Sequence, residues 1–290
     1  MPSCEICDDT SWKSVTVDGV SRVTRCDCWH QRLYDSLLTS ARIPRRYAHC
    51  ELSNFDGHTD SQRTALRRAL RLVEEFPVVE RGLLFFGDAG VGKTHLAVAL
   101  LKEAIRRKGA RALFYETREL LKVVRDTYNS GVEATELDIL RPVLEAELLV
   151  LDDLGAEKKS EWVEETLGLV INTRYSERRV TVITTNLRDA DNTEPTSFAF
   201  QLGLRTRSRL KEMCDWVEID GVDTREVGPH PTHEDIARWQ ATSPGSPKNR
   251  GRAMPAKTGG QARARLRPGE PKPGDGGAGL KWAGGKAGNS

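Results

Sequence analysis

The sequence lacks any apolar run long enough to cross a membrane. A transmembrane helix needs roughly 20 consecutive apolar residues, and no stretch of the 290-residue chain approaches that length. The N-terminus also lacks the basic segment followed by an apolar segment that marks a secretory signal. No internal repeat is visible. These absences predict a protein of the cytoplasm that does not contact a membrane.

Large apolar residues are almost absent from the stretch between Gly245 and Ser290. This stretch holds ten Lys or Arg residues against two acids, and twelve of the 25 glycines. Its charge is therefore +8, so the rest of the chain sums to −6 because the total is +2. Such a composition cannot bury enough surface to offset the entropy of ordering, which predicts a disordered basic tail over residues 229–290. The tail either binds nucleic acid through its charge or is simply solvated.

Short apolar runs alternate with longer segments of helical periodicity between residues 61 and 228. The predicted strands are 82–87, 111–116, 147–153, 180–186 and 215–220, and the predicted helices are 61–76, 94–109, about 117–128, 161–177 and about 197–213. Strands that alternate with helices imply a parallel sheet covered on both faces. We therefore predict a three-layer α/β domain over residues 61–228, preceded by a linker over residues 31–60.

The segment from Gly87 to Thr94 matches the phosphate-binding pattern G-x-x-x-x-G-K-[ST] at every fixed position. Its residues are Gly87, Asp88, Ala89, Gly90, Val91, Gly92, Lys93 and Thr94. The glycines let successive backbone N–H groups turn towards phosphate oxygens. Lys93 supplies a charge for the β- and γ-phosphates, and Thr94 supplies a hydroxyl ligand for Mg²⁺. An apolar strand before the segment and a helix after it complete the context that the pattern needs, so we predict binding of ATP and Mg²⁺.

Two carboxylates and one amide end the third and fourth predicted strands. Asp152 stands where a second carboxylate organises Mg²⁺ in such proteins. Asp153 stands where many of them carry a glutamate that polarises the attacking water. Its shorter side chain acts either as that base or through a repositioned water. Asn186 can hydrogen-bond both water and the γ-phosphate, which suits a sensor of the nucleotide state.

Three arginines, Arg205, Arg207 and Arg209, cluster at the end of the last predicted helix. An arginine that reaches the nucleotide of a neighbouring subunit stabilises the charge that develops in phosphoryl transfer. Arg209 is the first candidate for that role, with Arg225 and Arg174 as weaker ones. The alternative is that the three clustered arginines are solvated or face DNA.

Four of the six cysteines lie in the first 28 residues, which indicates metal binding rather than disulfides in a cytosolic protein. These four are Cys4, Cys7, Cys26 and Cys28. Four thiolates can close a tetrahedral Zn²⁺ site, and a module of about 30 residues needs such a link because it cannot build a core. His30 could replace Cys28 as the fourth ligand, and a redox-active pair or free thiols remain alternatives. Cys50 and Cys214 are interpreted as ordinary buried residues.

Taken together, these motifs resemble the AAA+ ATPases of the DnaC/DnaI helicase-loader and IstB transposition-helper type. The resemblance covers about residues 40–226 and rests on GDAGVGKTHLAVAL, LLVLDDLG, INTRYSERRVTVITTNL, and SRL followed by VEIDGVDTR. It implies that residues 87–94 are the Walker A loop and that Asp152 and Asp153 are the Walker B pair. It also implies that Asn186 is the first sensor and Arg209 the box-seven arginine.

The same resemblance implies a homo-oligomer on single-stranded DNA that uses ATP hydrolysis to load a replicative helicase during DNA replication. A transposition helper that acts with a transposase shares nearly all of these residues and stays open. An adaptor that binds ATP with negligible turnover is a third possibility, because Asp153 replaces the glutamate. The sequence departs from the family after Val227, where only residues 234–240 are helical, so a second sensor is unassigned. Some loaders carry a zinc-binding N-terminal domain, which favours that role for residues 1–30.

Overall fold

A computed structural model describes residues 4–128, 135–190, 193–228 and 230–242. Its strands are β1 (Trp12–Val17), β2 (Val20–Arg25), β3 (Gly82–Phe86), β4 (Ala112–Glu116), β5 (Leu148–Leu154), β6 (Val180–Thr185) and β7 (Cys214–Glu218). Its helices are α1 (Cys28–Ser40), α2 (Asp60–Glu75), α3 (Lys93–Lys108), α4 (Thr117–Asp126), α5 (Glu136–Glu145), α6 (Glu161–Ser176), α7 (Phe198–Met213), α8 (Thr224–Val227) and α9 (His233–Thr242). The tail predicted over residues 229–290 lies outside the described residues except for 230–242, which include α9. No helix in the described ranges is long and apolar enough to cross a membrane.

Five strands form a parallel sheet in the order β4-β5-β6-β3-β7. The strand β3 therefore lies between β6 and β7, pairing Leu84 with Ile183 on one side and with Trp216 on the other. After β3 the chain crosses to the far edge of the sheet before it returns. Ligands of open parallel sheets bind beyond the carboxyl ends of the strands at such a reversal of strand order. The α/β fold with a parallel sheet is confirmed.

Alternate residues of the strands point into two separate cores, one on each face of the sheet. Leu83 and Phe85 belong to a core that includes side chains of α2 and α3. Leu84 belongs to the other core, which includes side chains of α4, α5, α6 and α7. A parallel sheet that is buried on both faces needs apolar residues on both sides of each strand. The strand sequences are therefore nearly continuous apolar runs. The result is a helix–sheet–helix arrangement of three layers.

The segment over residues 31–60, interpreted above as a linker, contributes side chains to the first of these cores. The helix α1 extends to Ser40, and Ala41 then accepts a hydrogen bond of 2.8 Å from the backbone N–H of Phe114 in the edge strand β4. Two 3₁₀ helices follow, over Arg45–Tyr47 and Leu52–Asn54. The side chains of Cys50, Leu52 and Phe55 are buried. The sheet and this segment thus share one apolar core.

One arginine is completely buried in the second layer of helices. Arg174 in α6 donates hydrogen bonds to the Thr181 hydroxyl and to backbone carbonyls of the neighbouring segments. These carbonyls belong to Val143, Leu144, Ala146 and Val180. The guanidinium therefore joins the end of α5 to the start of β6. Arg174 cannot reach the nucleotide of a neighbouring subunit, so its weaker candidacy for that role is wrong.

We expect Arg174→Ala to lower the free energy of unfolding by about 3 kcal/mol, because it leaves buried carbonyls without donors. Chemical denaturation of the two proteins measures the difference. Arg141→Ala is the matched control, since Arg141 is exposed on α5 and forms an ion pair of 4.0 Å within that helix. The control should change stability by less than about 0.5 kcal/mol. Equal effects of the two substitutions would contradict the bridging role.

Candidate functional site

The loop between β3 and α3 turns sharply at two glycines. Gly90 and Gly92 have φ angles of 73° and 99°, in the left-handed region that glycine adopts without strain. A side chain at Gly90 would also collide with the Asp223 carboxylate. Gly92 directly precedes α3, so the first backbone N–H groups of that helix are free for a ligand. The loop and the positive end of the helix together form a cradle suited to an anion.

The side chain of Lys93 is buried and points back into this loop. Its Nζ donates hydrogen bonds to the carbonyl oxygens of Gly87 (2.9 Å) and Asp88 (2.6 Å) and to Oδ1 of Asn186 (2.8 Å). Burial lowers the pKa of Lys93 to about 8, although the carboxylates of Asp153, Asp88 and Asp152 oppose this shift. The ammonium is thus held where the loop, β6 and the end of β5 meet.

A hydroxyl and a carboxylate face each other beside the lysine. Thr94 Oγ1 donates a hydrogen bond of 2.8 Å to Asp152 Oδ1, and Thr184 Oγ1 donates one of 2.5 Å to the same oxygen. Burial raises the pKa of Asp152, while the two hydroxyl donors lower it. Hydroxyl and carboxylate oxygens are the ligands that Mg²⁺ prefers in phosphate-binding sites. Thr94 and Asp152 therefore fit a magnesium ion and are the residues that would hold it.

The neighbouring Asp153 has an unusual backbone conformation. Its φ angle is 54°, and the pairing between β5 and β6 shifts register between Leu151 and Leu154. Such irregularities redirect a side chain and are frequent beside active sites. The backbone N–H of Asp153 donates to Thr184 Oγ1 (2.9 Å), and its Oδ1 accepts a hydrogen bond from Asn186 Nδ2 (3.4 Å). Asp153, Asn186 and Lys93 thus form one connected hydrogen-bonded group.

These side chains line a single cavity of about 410 Å³. Its walls include the phosphate loop, Asp152, Asp153 and Asn186, which the sequence motifs singled out. Further lining residues are Arg46, Tyr47, His49, Cys50, His95, Glu116, Thr184, Thr224 and Arg225. A larger cavity of about 650 Å³ beside Arg174 contains none of the motif residues. The cavity of about 410 Å³ is therefore the candidate site, because it combines an anion cradle, a buried ammonium and a carboxylate.

Several residues of the cavity were missed or ranked low from the sequence. Thr184 Oγ1 donates to the Asp152 carboxylate and accepts from the backbone N–H of Asp153, and a polar residue inside a buried strand was the available signal. Thr224 Oγ1 donates to the Gly90 carbonyl (2.9 Å), which places Arg225 at the phosphate loop of its own chain. Tyr47 comes from the segment 31–60, where no motif pointed to a binding role. A contact between residues that are far apart in the sequence leaves no local sequence pattern from which it could be predicted.

Arg209 does not line this cavity. It lies on α7 beside another cavity of about 750 Å³ that also contains Glu161 and Glu164, and its guanidinium is 5.8 Å from the ring of Tyr175. Arg207 is bound to Asp189, 2.5 Å away. A role for Arg209 at the nucleotide of a neighbouring subunit therefore stays a prediction.

The four N-terminal cysteines converge at one end of the β1–β2 hairpin. Their sulfur atoms all lie within 4.8 Å of one another, with Cys4 Sγ 3.7 Å from Cys26 Sγ and Cys7 Sγ 3.3 Å from Cys28 Sγ. Tetrahedral zinc with bonds of about 2.3 Å separates its sulfur ligands by about 3.8 Å. The donor set and spacing thus fit Zn²⁺. His30 is not part of this cluster; its ring lies against Trp29 instead.

A family model described as IstB-like ATP binding protein matches residues 68–225, which is more than half of the chain. The chain belongs to this family. Among curated proteins it is similar to the replicative helicase loader DnaC of Escherichia coli (strain K12), with 28% identity over 166 residues. That match covers 57% of this chain and 64% of the relative. The match therefore spans less than two thirds of the relative's own length.

The fold of this chain is also similar to that of solved structures of AAA+ proteins. The crystal structure of the DnaC helicase loader has 35% sequence identity and a TM-score of 0.55, covering 61% of this chain and all of that one. The crystal structure of DnaI has 27% identity and a TM-score of 0.51, covering 62% of this chain and 95% of that one. The predicted membership of the DnaC and IstB type of AAA+ proteins is confirmed.

Proposed function

We propose that the protein binds ATP with Mg²⁺ in the 410 Å³ cavity and hydrolyses it. The observation that carries the proposal is the convergence of Lys93, Thr94 and Asp152 at the carboxyl ends of β3 and β5. The loop and Lys93 bind and orient the triphosphate, and Thr94 with Asp152 holds the metal. Mg²⁺, when bound, neutralises charge on the phosphate oxygens. Asp153, fixed by Asn186, accepts the proton of the attacking water.

The proposed biological role is to load a replicative helicase onto single-stranded DNA as a homo-oligomer. It is supported by the similarity to DnaC and DnaI, which extends over the whole solved DnaC chain. The family description also names IstB, so a transposition helper that acts with a transposase is the second candidate. Mixing the purified protein with the host's replicative helicase, and separately with its transposase, distinguishes the two roles: a stable complex with the transposase alone would refute helicase loading.

We expect Asp153→Asn to lower ATP turnover by about 100-fold or more while nucleotide affinity changes little, because a positioned base contributes roughly 10²–10⁴-fold. Asparagine has the same shape and tolerates a positive φ angle, so the substitution removes only the charge. Phosphate release is measured with and without single-stranded DNA. Asp189→Asn is the control, since Asp189 pairs with Arg207 outside the cavity.

The same assay tests hydrolysis itself against the alternative of an ATP-binding adaptor. Nucleotide binding without turnover, both with and without single-stranded DNA, would refute the ATPase and leave the adaptor. Turnover in Asp153→Asn equal to that of the unaltered protein would instead show that Asp153 is not the base.

Nucleotide affinity is expected to fall as the pH rises above about 8. Burial lowers the pKa of Lys93 to about 8 in the free protein, whereas bound phosphates favour the charged ammonium and raise it. The nucleotide affinity is therefore at its highest below pH 8 and falls by up to about tenfold per pH unit above it. Dissociation constants of a non-hydrolysable ATP analogue between pH 7.5 and 9.5 measure this. An affinity that is constant over that range would contradict it.

A further inference from the structure

A second cluster of metal-binding side chains lies outside the four-cysteine module. His49 and Cys50 follow the 3₁₀ helix over Arg45–Tyr47, and His95 lies in the first turn of α3, next to Thr94. One ligand atom from each of the three residues lies within 4.8 Å of the others. Two imidazoles and one thiol are ligands that Zn²⁺ accepts, with a fourth position left to water or another ligand.

The distances in this cluster come close to those of a zinc site. His49 Nε2 lies 3.8 Å from Cys50 Sγ, and a nitrogen and a sulfur on one tetrahedral zinc are about 3.5 Å apart. The rings of His49 and His95 meet edge to face, with centroids 5.9 Å apart and planes at 80°. No two of the three ligand atoms lie more than 4.8 Å apart, so no separation needs to shorten by more than about 1.5 Å to complete the set.

A partner in the surrounding shell can orient His95. Its Nε2 lies 3.2 Å from the Glu51 carbonyl oxygen and 3.0 Å from Asn54 Oδ1. A neutral imidazole carries its hydrogen on one nitrogen and a lone pair on the other. Donation from Nε2 to either oxygen leaves Nδ1 as a ligand, and metal-binding histidines are usually held by such a second hydrogen bond.

The segment that carries the other two ligands is fixed to the same helix. The buried ammonium of Lys102 in α3 donates to the carbonyl oxygens of Ala48 (2.7 Å) and Cys50 (2.9 Å). It also forms an ion pair of 2.5 Å with the Glu51 carboxylate. The ammonium alone would oppose a nearby cation, but the carboxylate offsets its charge. Lys102 therefore holds His49 and Cys50 close to His95, while its carboxylate partner also pairs with Arg106.

We propose that His49, Cys50 and His95 form a binding site for one Zn²⁺ ion on the wall of the nucleotide cavity. All three residues line the same cavity as Lys93 and Asp152. The open coordination position is therefore available to water or to a group of a bound ligand. Zinc binding consequently changes the affinity for nucleotide by at least about fivefold. This coupling rests on the proposed nucleotide site, whereas the metal site itself does not.

The test is the number of Zn²⁺ ions held per chain by the full-length, reduced protein after equilibrium dialysis against buffered free Zn²⁺. We expect His49→Ala and His95→Gln each to hold one ion fewer than the unaltered protein, whatever the four-cysteine module contributes. His49 is exposed, so its truncation should leave the fold intact, and glutamine keeps hydrogen-bonding groups near Glu51 and Asn54. His230→Ala is the matched control, because His230 is exposed and pairs with Asp56.

Unchanged stoichiometry in both His49→Ala and His95→Gln would overturn the site. Loss of an ion from His230→Ala as well would also overturn it, since binding would then be nonspecific. Affinity for a fluorescent ATP analogue, measured with and without Zn²⁺, is the second readout. A Zn²⁺ effect that persists in His49→Ala would overturn the coupling. Failure to bind the analogue in the absence of Zn²⁺ would count against the proposed function and leave the ion count as it stands.

Discussion

Replacing Lys93 with alanine is expected to abolish ATP turnover and to weaken ATP binding by about 100-fold, since a hydrogen bond to a charged group contributes up to about 3 kcal/mol. The buried ammonium is bound to the carbonyls of Gly87 and Asp88 as well as to Asn186. Its removal therefore takes away the charge that faces the phosphates and the contacts that shape the loop. Equilibrium binding of a fluorescent ATP analogue measures the first effect and phosphate release the second.

The matched control for this substitution is Lys122→Ala. Lys122 is exposed on α4, so its loss removes the same charge from the chain without entering the cavity. Circular dichroism should show that both variants keep the fold. Unchanged affinity in Lys93→Ala would mean that the nucleotide binds elsewhere. An equal loss of affinity in Lys122→Ala would mean that net charge, rather than a specific contact, governs binding.

Replacing Cys7 with serine is expected to remove zinc from the four-cysteine module and to unfold the hairpin that it closes. Both strands, β1 and β2, have mostly exposed side chains, so burial of apolar surface contributes little to the stability of the hairpin. A structural zinc ion supplies about 10–16 kcal/mol in zinc-finger peptides. Amide hydrogen exchange over residues 12–25 should therefore accelerate by at least about 1,000-fold.

The amides of β3 and β5 provide the internal control for this experiment, because they belong to the separate parallel sheet. Their protection should not change. His30→Ala tests the alternative fourth ligand. Loss of zinc from that variant, together with retention of zinc by Cys28→Ser, would show that His30 rather than Cys28 is the fourth ligand. Absence of zinc from freshly purified, unaltered protein would contradict the metal assignment of the module.

Most elements between residues 60 and 218 could be predicted because each of these carries a strong local signal. Strand β5 is an apolar run, and α2 shows apolar residues at three- and four-residue spacing. The predicted bounds of both elements therefore agree with the observed ones within one or two residues. Helix α5 was missed, since it is only ten residues long and contains Pro142. The hairpin was missed although Asp18 and Gly19, between the paired residues Val17 and Val20, are a typical two-residue hairpin turn.

The candidate site was predictable to the extent that it resides in contiguous motifs. The structure brings Lys93, Thr94, Asp152, Asp153 and Asn186 into one cavity, while their catalytic roles stay predictions. The backbone of Asp153 was not predictable, because its φ angle depends on a register shift between two strands. The burial of Arg174 was equally hidden, since an isolated arginine in a helix is usually solvated.

The order of the strands has a consequence for folding of the nascent chain during its synthesis on the ribosome. Strand β3, which leads into the phosphate loop, pairs only with β6 and β7, and both are synthesised later. Roughly 90 residues separate it from β6, so at about 5–20 residues per second β3 waits roughly 5–20 s for its first neighbour. During that interval the apolar segment Leu83–Phe86 has no sheet to join. The nascent chain is therefore exposed to aggregation at the strand on which nucleotide binding depends, and a chaperone that covers this segment should raise the yield of folded protein.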